Sequence, residues 1–186
     1  EVVIPYLDQI RPSTLKSVNI IVKEDGKLVG YNTDAEGFVR SLEEKFNEIG
    51  KRLDWSNIVI LGAGGVAKEV VRLLANSNVK RIAIINRTLP KALEIAYEFR
   101  DLAYAAPESM IRGIVLNSWD RPDAIVNLTE KGSDEKLEEY SAFAHTTEIP
   151  GDNHTISRST LRELAQYTPD VIIADIVLSK KGKTIT

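Results

Sequence analysis

The sequence predicts an α/β fold built on a parallel, doubly wound sheet, and three observations predict it. From residue 57 onward, short apolar runs alternate with amphipathic stretches of helical spacing. The runs are nearly continuous, as at Ile82-Ala83-Ile84-Ile85, which suits strands buried on both sheet faces. One run, Ile58-Val59-Ile60-Leu61, ends in Gly62-Ala63-Gly64-Gly65-Val66-Ala67, a glycine-rich turn that opens onto a helix.

The elements follow in order. Residues 17–22 read as a strand, Glu24-Asp25-Gly26 as a hairpin turn and residues 27–31 as the returning strand. A lone hairpin is marginally stable, so this piece needs a surface to pack on. Phe38, Leu42, Phe46 and Ile49 recur at near-helical spacing, with Glu43, Glu44, Lys45 and Glu48 mostly on other faces. Thr33 or Asp34 is expected to cap that helix, and Gly50 to stop it. After the strand at 58–61, a helix is expected from near Gly65, with Val66, Val70, Val71, Leu73 and Leu74 on its apolar face. Residues 81–85 form the next strand, and Pro90 opens a helix running to about Arg100. Ala103-Tyr104-Ala105, Ile114-Val115-Leu116 and Ala124-Ile125-Val126 are three further strand candidates. A helix at 159–166 and a strand at 171–177 close the series, and the charged stretch 131–139 reads as the start of a surface helix. The alternation puts helices on both sides of the sheet.

Composition narrows the function. Apolar residues make up 43% of the 186, enough for a real core. The formal net charge of -3, with both signs mixed along the chain, argues against a nucleic-acid partner. With no cysteine, disulfides, thiolate metal sites and cysteine nucleophiles are excluded, and a cytoplasmic protein is expected. No apolar run approaches transmembrane length, so no membrane partner is expected. His145 and His154 have no acidic cluster at ligand spacing, so no metal is expected. Trp55 and Trp119 read as packing residues, and neither a Gly-x-Ser-x-Gly elbow nor a phosphate loop ending in Gly-Lys-Ser/Thr is present.

The glycine turn carries the functional reading. Gly62 can take the tight turn, and Gly64 lets the backbone approach a pyrophosphate. The helix that follows aims free N–H groups and its positive dipole end at the same place. This is the entry of a Rossmann-like dinucleotide-binding unit; the plainer alternative is a structural turn. The end of the second strand then selects the cofactor. An acidic residue there would hold the ribose 2′-OH of NAD. This chain has Asn86-Arg87-Thr88 instead, with Lys91 one turn on. A guanidinium suits a 2′-phosphate that a carboxylate would repel, so NADP is expected; the alternative for Arg87 is a solvated strand-end charge.

Val18-Asn19, Gly30-Tyr31-Asn32-Thr33-Asp34, the glycine turn and Asn86-Arg87-Thr88 occur in an order and spacing that resembles the shikimate dehydrogenase family. Asn127-Leu128-Thr129 with Gly132 resembles the family's Asn-Ala-Thr turn beside the cofactor, and Asp175-Ile176-Val177-Leu178 with Thr184 resembles its late signature. The resemblance implies NADPH-dependent reduction of 3-dehydroshikimate to shikimate in a cleft between a substrate domain and a cofactor domain. Residues 1–34 would then be a remnant of an α/β substrate domain and 35–186 the cofactor domain. Asp34 matches the catalytic and substrate-binding aspartate, and Asn19 a substrate-binding asparagine. The implied cofactor set is Gly62, Ala63, Gly64, Gly65, Val66, Ala67, Asn86, Arg87, Thr88, Lys91, Asn127, Leu128, Thr129 and Ile176. The partner is a small hydroxy acid, and a homodimer is allowed for. The plainer roles are a helix cap for Asp34 and backbone satisfaction in the hairpin for Asn19.

Departures from the family pattern are specific. Val3-Ile4-Pro5-Tyr6-Leu7 aligns to the helix after the family's Val-Thr-x-Pro-His-Lys motif, which puts the catalytic lysine just upstream of Glu1. Much of the substrate domain and a C-terminal helix are likewise expected outside the sequence, so the chain is expected to bind NADP weakly and not to catalyse. Lys16 and Lys23 match no catalytic position and read as surface charges. Ile20 stands where a threonine is usual and Leu178 where a tyrosine is usual. These changes keep a quinate-type or other NADP-dependent dehydrogenase open, and also a non-catalytic NADP-binding domain. A glutamyl-tRNA reductase-like enzyme is disfavoured by Asn32-Thr33-Asp34.

Overall fold

A computed structural model describes residues 3–13, 15, 18–117, 120–131, 140–146 and 149–176. The N-terminal part forms a three-stranded sheet from β1 (Gln9–Arg11), β2 (Ile20–Glu24) and β3 (Lys27–Tyr31), in the order β1-β3-β2. The β2–β3 hairpin turns at Asp25 and Gly26, both with positive φ, the geometry that matches the strand twist. The expected strand at 17–22 is shifted toward the C-terminus; Ser17 lies outside the described residues. Cross-strand pairing in register Ile20↔Tyr31 to Glu24↔Lys27 sets these bounds.

The second sheet is five-stranded and wholly parallel: β4 (Asn57–Leu61), β5 (Arg81–Asn86), β6 (Ala103–Pro107), β7 (Ala124–Asn127) and β8 (Ile172–Asp175), in the order β6-β5-β4-β7-β8. Its apolar runs feed two cores. Ile58, Ile60, Ile82 and Ile84 face one side, packed by α1 (Asp34–Glu48), α2 (Ala67–Asn76) and α3 (Leu89–Glu98). Val59, Leu61, Ala83 and Ile85 face the other, packed by α4 (Ile111–Val115), α5 (Pro150–Tyr167) and the segment at Ala142 and Phe143. Successive strand residues point to opposite faces, so burial on both sides demands the continuous apolar runs seen. In α1, Ala35, Val39, Leu42 and Phe46 share the first core, and Gly50 takes the positive φ that ends it.

Several expectations are corrected. Residues Ile114-Val115-Leu116 are not a strand, since Ile114 and Val115 end α4. Ile111 and Val115, four apart, bury one helical face, and so short an apolar run carries no period of its own. Helix α2 starts two residues later than Gly65, because Gly64–Val66 form the turn itself. Helix α5 begins nine residues before the expected start. Its early buried positions are Asn153, Ser157 and Thr160, so polar side chains hide its inner face from a hydrophobic pattern. Neither Thr33 nor Asp34 caps α1 through its side chain. Lys131 is buried rather than on a surface helix, and residues 132–139 lie outside the described set, as do Trp119, Val177, Leu178 and Thr184. Pro90 is the second helical residue of α3, not the first, and α3 ends at Glu98.

The strand order reverses between β4 and β7, which opens a crevice at their carboxyl ends. The exits of β5, β4 and β7 are stitched together there. Gly62 N–H donates to the Ile85 carbonyl at 2.7 Å and Leu128 N–H to the Leu61 carbonyl at 2.7 Å. Gly62 has φ +110°, and a Cβ on it would stand 2.9 Å from the Leu128 carbonyl carbon and oxygen. Gly62→Ala therefore meets both backbone strain and a clash with another backbone. It is expected to lower stability by at least about 1–3 kcal/mol, measured by urea denaturation.

Candidate functional site

The crevice holds a cavity of about 310 Å³. Gly62, Ala63, Gly64, Gly65 and Val66 line one side, Asn86, Arg87, Thr88 and Lys91 another, and Leu128 and Thr129 a third. Eleven of the fourteen residues expected to hold the cofactor thus surround one space. Gly64 and Gly65 are exposed, and a Cβ on either would meet nothing within 4 Å, so the backbone there is open to a ligand. The N-terminal end of α2 lies directly behind them, with its unpaired N–H groups and positive dipole end. Such a cradle fits a pyrophosphate.

The side chains of the turn divide into builders and cations. Asn86 Oδ1 accepts from Ala63 N–H at 3.2 Å, and its Nδ2 donates to the Thr88 carbonyl at 2.9 Å. It ties the glycine turn to the Arg87 turn. Arg87 and Lys91 are exposed and have no ion pair among the described residues, which leaves two cations at the cavity edge. Asn127 is buried; its Oδ1 accepts from Thr129 N–H at 2.9 Å and from the Thr129 hydroxyl at 2.7 Å, and its Nδ2 donates to Asp175 Oδ1 at 3.2 Å. It shapes the β7 exit from below. Ala67 packs in the core, and Ile176 lines a different cavity.

That second cavity, about 1230 Å³, lies between α1 and β8. Thr33, Asp34, Phe38 and Leu42 face Ile172, Ala174, Asp175 and Ile176 across it. Asp34 and Asn19, far apart in sequence, are in contact: Asn19 Nδ2 donates to Asp34 Oδ1 at 2.6 Å and to Thr33 Oγ1 at 3.3 Å. Asn19 Oδ1 accepts from Thr33 N–H at 3.1 Å, and Asn32 Oδ1 accepts from Asp34 N–H at 3.0 Å. Asn19 therefore does satisfy backbone, as the plainer reading held, while its amide also fixes the aspartate. Asp34 is held toward the hairpin rather than spent on its own helix.

Sequence reasoning missed a buried ion pair in the wall of the first cavity. Lys131 Nζ donates to Glu108 Oε1 and to the Ala144 carbonyl, the latter at 2.8 Å. Thr146 N–H donates to Glu108 Oε2 at 2.8 Å. Glu108 directly follows β6, and residues just past strand carboxyl ends face such a crevice, so topology could have flagged it. Thr146 sits in an irregular segment with no period to read. Burial pushes the Glu108 carboxyl up, but the Lys131 ammonium and the Thr146 donors outweigh it and hold it below the usual carboxylate range. Burial pushes the Lys131 ammonium down, opposed by Glu108 and reinforced by Arg87.

A carboxylate lowered in the folded state stabilises fully above its unfolded pKa, and that stabilisation is lost as pH falls through the folded value. Urea denaturation across the acid range is expected to show a steeper loss for the native chain than for Glu108→Gln. Equal slopes would deny the pair any such role.

Known proteins are similar to this chain in sequence and in fold. The family model for shikimate / quinate 5-dehydrogenase matches residues 43–117. A shikimate dehydrogenase (NADP(+)) of Geobacillus kaustophilus is 33% identical over 177 residues, covering 94% of this chain and 55% of the relative. Shikimate 5-dehydrogenase from Listeria monocytogenes, solved with shikimate and NAD, superposes with a TM-score of 0.69 at 23% identity, covering 98% of this chain and 58% of that one. The 5-ketofructose reductase of Gluconobacter sp. strain CHM43 gives 0.61 at 26% identity, over 95% of this chain and 56% of that one. The chain spans about half the length of the curated relatives it matches. Among the described residues, no helix is long and apolar enough to cross a membrane. With its parallel sheet, glycine turn and these matches, the chain is similar to the shikimate dehydrogenase family.

Proposed function

We propose that the chain is the NADP-binding part, with a piece of the substrate-binding region, of an oxidoreductase that interconverts 3-dehydroshikimate and shikimate. The observation that carries this reading is the open Gly64-Gly65 backbone at the strand-order reversal, facing Arg87 and Lys91, which have no ion pair among the described residues. The division is drawn at residue 34, where the three-stranded sheet gives way to a helix that shares the core of the five-stranded one. A cytoplasmic setting belongs to the proposal and rests on the cysteine-free composition.

Each residue group has a physical task. Backbone N–H groups at Gly64, Gly65 and Val66 and the α2 terminus hold the pyrophosphate. Arg87, with Lys91 behind it, holds the 2′-phosphate. When bound, the cofactor supplies the hydride. Asp34 presents a fixed, charge-bearing acceptor at the rim of the second cavity, and Asn19 restricts its rotation. A carboxylate so placed can accept from a substrate hydroxyl and keep a neighbouring cation charged. The family's lysine has no match in these residues, so proton delivery is assigned to none of them.

A different polyhydroxylated substrate is the second reading, favoured by one observation. Ile20, next to Asn19, exposes 42% of its surface where the family usually offers a threonine hydroxyl. The likeness to a ketofructose reductase fits that reading.

Calorimetric titration with NADP and NAD tests the cofactor half. NADP is expected to bind roughly tenfold or more tightly than NAD, and Arg87→Ala to remove most of that preference. Binding of neither nucleotide, or equal binding of both, would refute it.

A further inference from the structure

Resting on the nucleotide reading above, we propose that Lys131 is a positioning residue that keeps Glu108 from cancelling Arg87, and thereby sets the cavity's preference for a ribose carrying a phosphate monoester.

The geometry makes the case. Strand pairing places Asn86 opposite Pro107, so Arg87 and Glu108 leave adjacent strand ends together. Both line the same cavity, together with Lys91, Lys131 and Thr146. A carboxylate beside Arg87 would ordinarily do two harmful things there. It would pair with the guanidinium, and it would repel an incoming dianion. Here Glu108 is already engaged by Lys131 and by Thr146 N–H at 2.8 Å. The Glu108 carboxylate attracts the Lys131 ammonium and the Arg87 guanidinium repels it, so the three charges share one field.

The wall behind the pair does not depend on the pair alone. Asn153, fully buried in α5, accepts from Ser141 N–H at 2.8 Å and donates to the His145 carbonyl at 3.0 Å. The Ser141 and Ser157 hydroxyls meet at 2.5 Å. Removing the Lys131 charge should therefore leave the segment in place and leave Glu108 uncompensated. This separates a charge role from a packing role.

The test is a set of titrations on the full chain with NADP and NAD, using Lys131→Met, Glu108→Gln and the double variant. Thermal unfolding first establishes that each is folded. Lys131→Met is expected to lose about tenfold of the NADP-over-NAD preference while NAD affinity stays nearly constant. The double variant is expected to recover the preference, and Glu108→Gln alone to keep or raise it. An unchanged ratio in Lys131→Met overturns the proposal, as does equal weakening of both nucleotides or a double variant without recovery. If Lys131→Met does not fold, Glu108→Gln decides: a lost preference overturns the proposal and a kept or raised one supports it. If the native chain binds neither nucleotide, the nucleotide reading itself fails and this inference falls with it. If the native chain prefers NADP and Lys131→Met does also, only this inference fails.

Discussion

The close approach of two strand exits governs this molecule. Leu61 ends β4 and Asn127 ends β7, and the backbone just past each passes within hydrogen-bonding distance of its neighbour. Gly62 is the one residue type that fits, because its φ is +110° and a Cβ would sit 2.9 Å from the Leu128 backbone. That contact turns the chain sharply and releases Gly64 and Gly65 outward. It also sets where α2 begins, and so where its unpaired N–H groups point. The proposed phosphate cradle is thus a consequence of how tightly the sheet closes at its reversal point.

Much of this was legible because burial on both sheet faces leaves a plain trace. The runs at β4 and β5 read as strands, and the spacing of Phe38, Leu42 and Phe46 reads as a helix, because these residues pack in or against the core, while Ile49 lies exposed just past the helix end. Legibility failed where polar side chains are buried. Asn153, Ser157 and Thr160 line the inner face of α5, so the hydrophobic pattern revealed only its second half. Lys131 looked like a surface charge because its partner, Glu108, is 23 residues away and joins it only through the fold. Ile111 and Val115 form a helical face too short to show a period.

The candidate site shows the same division. Gly62 to Val66 and Arg87 could be found from local sequence because each sits where a strand ends, whereas Thr129 is named through resemblance. Asn19 and Asp34 could be tied together only by resemblance, and their 2.6 Å contact needs the hairpin to dock on the start of α1. The sequence reads Asn86 and Asn127 as ligand contacts; in the structure both side chains fix the turns around them, and Asn127 is buried and does not line the cavity. Sequence similarity and local geometry thus point to the same proposed nucleotide cradle. The catalytic assignment leans on Asp34, whose position at the rim of a separate cavity suits a substrate that reaches across from the hairpin side.

Backbone amide resonances offer the most direct view of the cradle. In a nitrogen–proton correlation spectrum titrated with NADP, the amides of Gly64, Gly65, Val66 and Ala67 and those near Arg87 should move together and saturate at one concentration. Shifts confined to the cavity between α1 and β8, or none at the glycine turn under saturating nucleotide, would contradict the account.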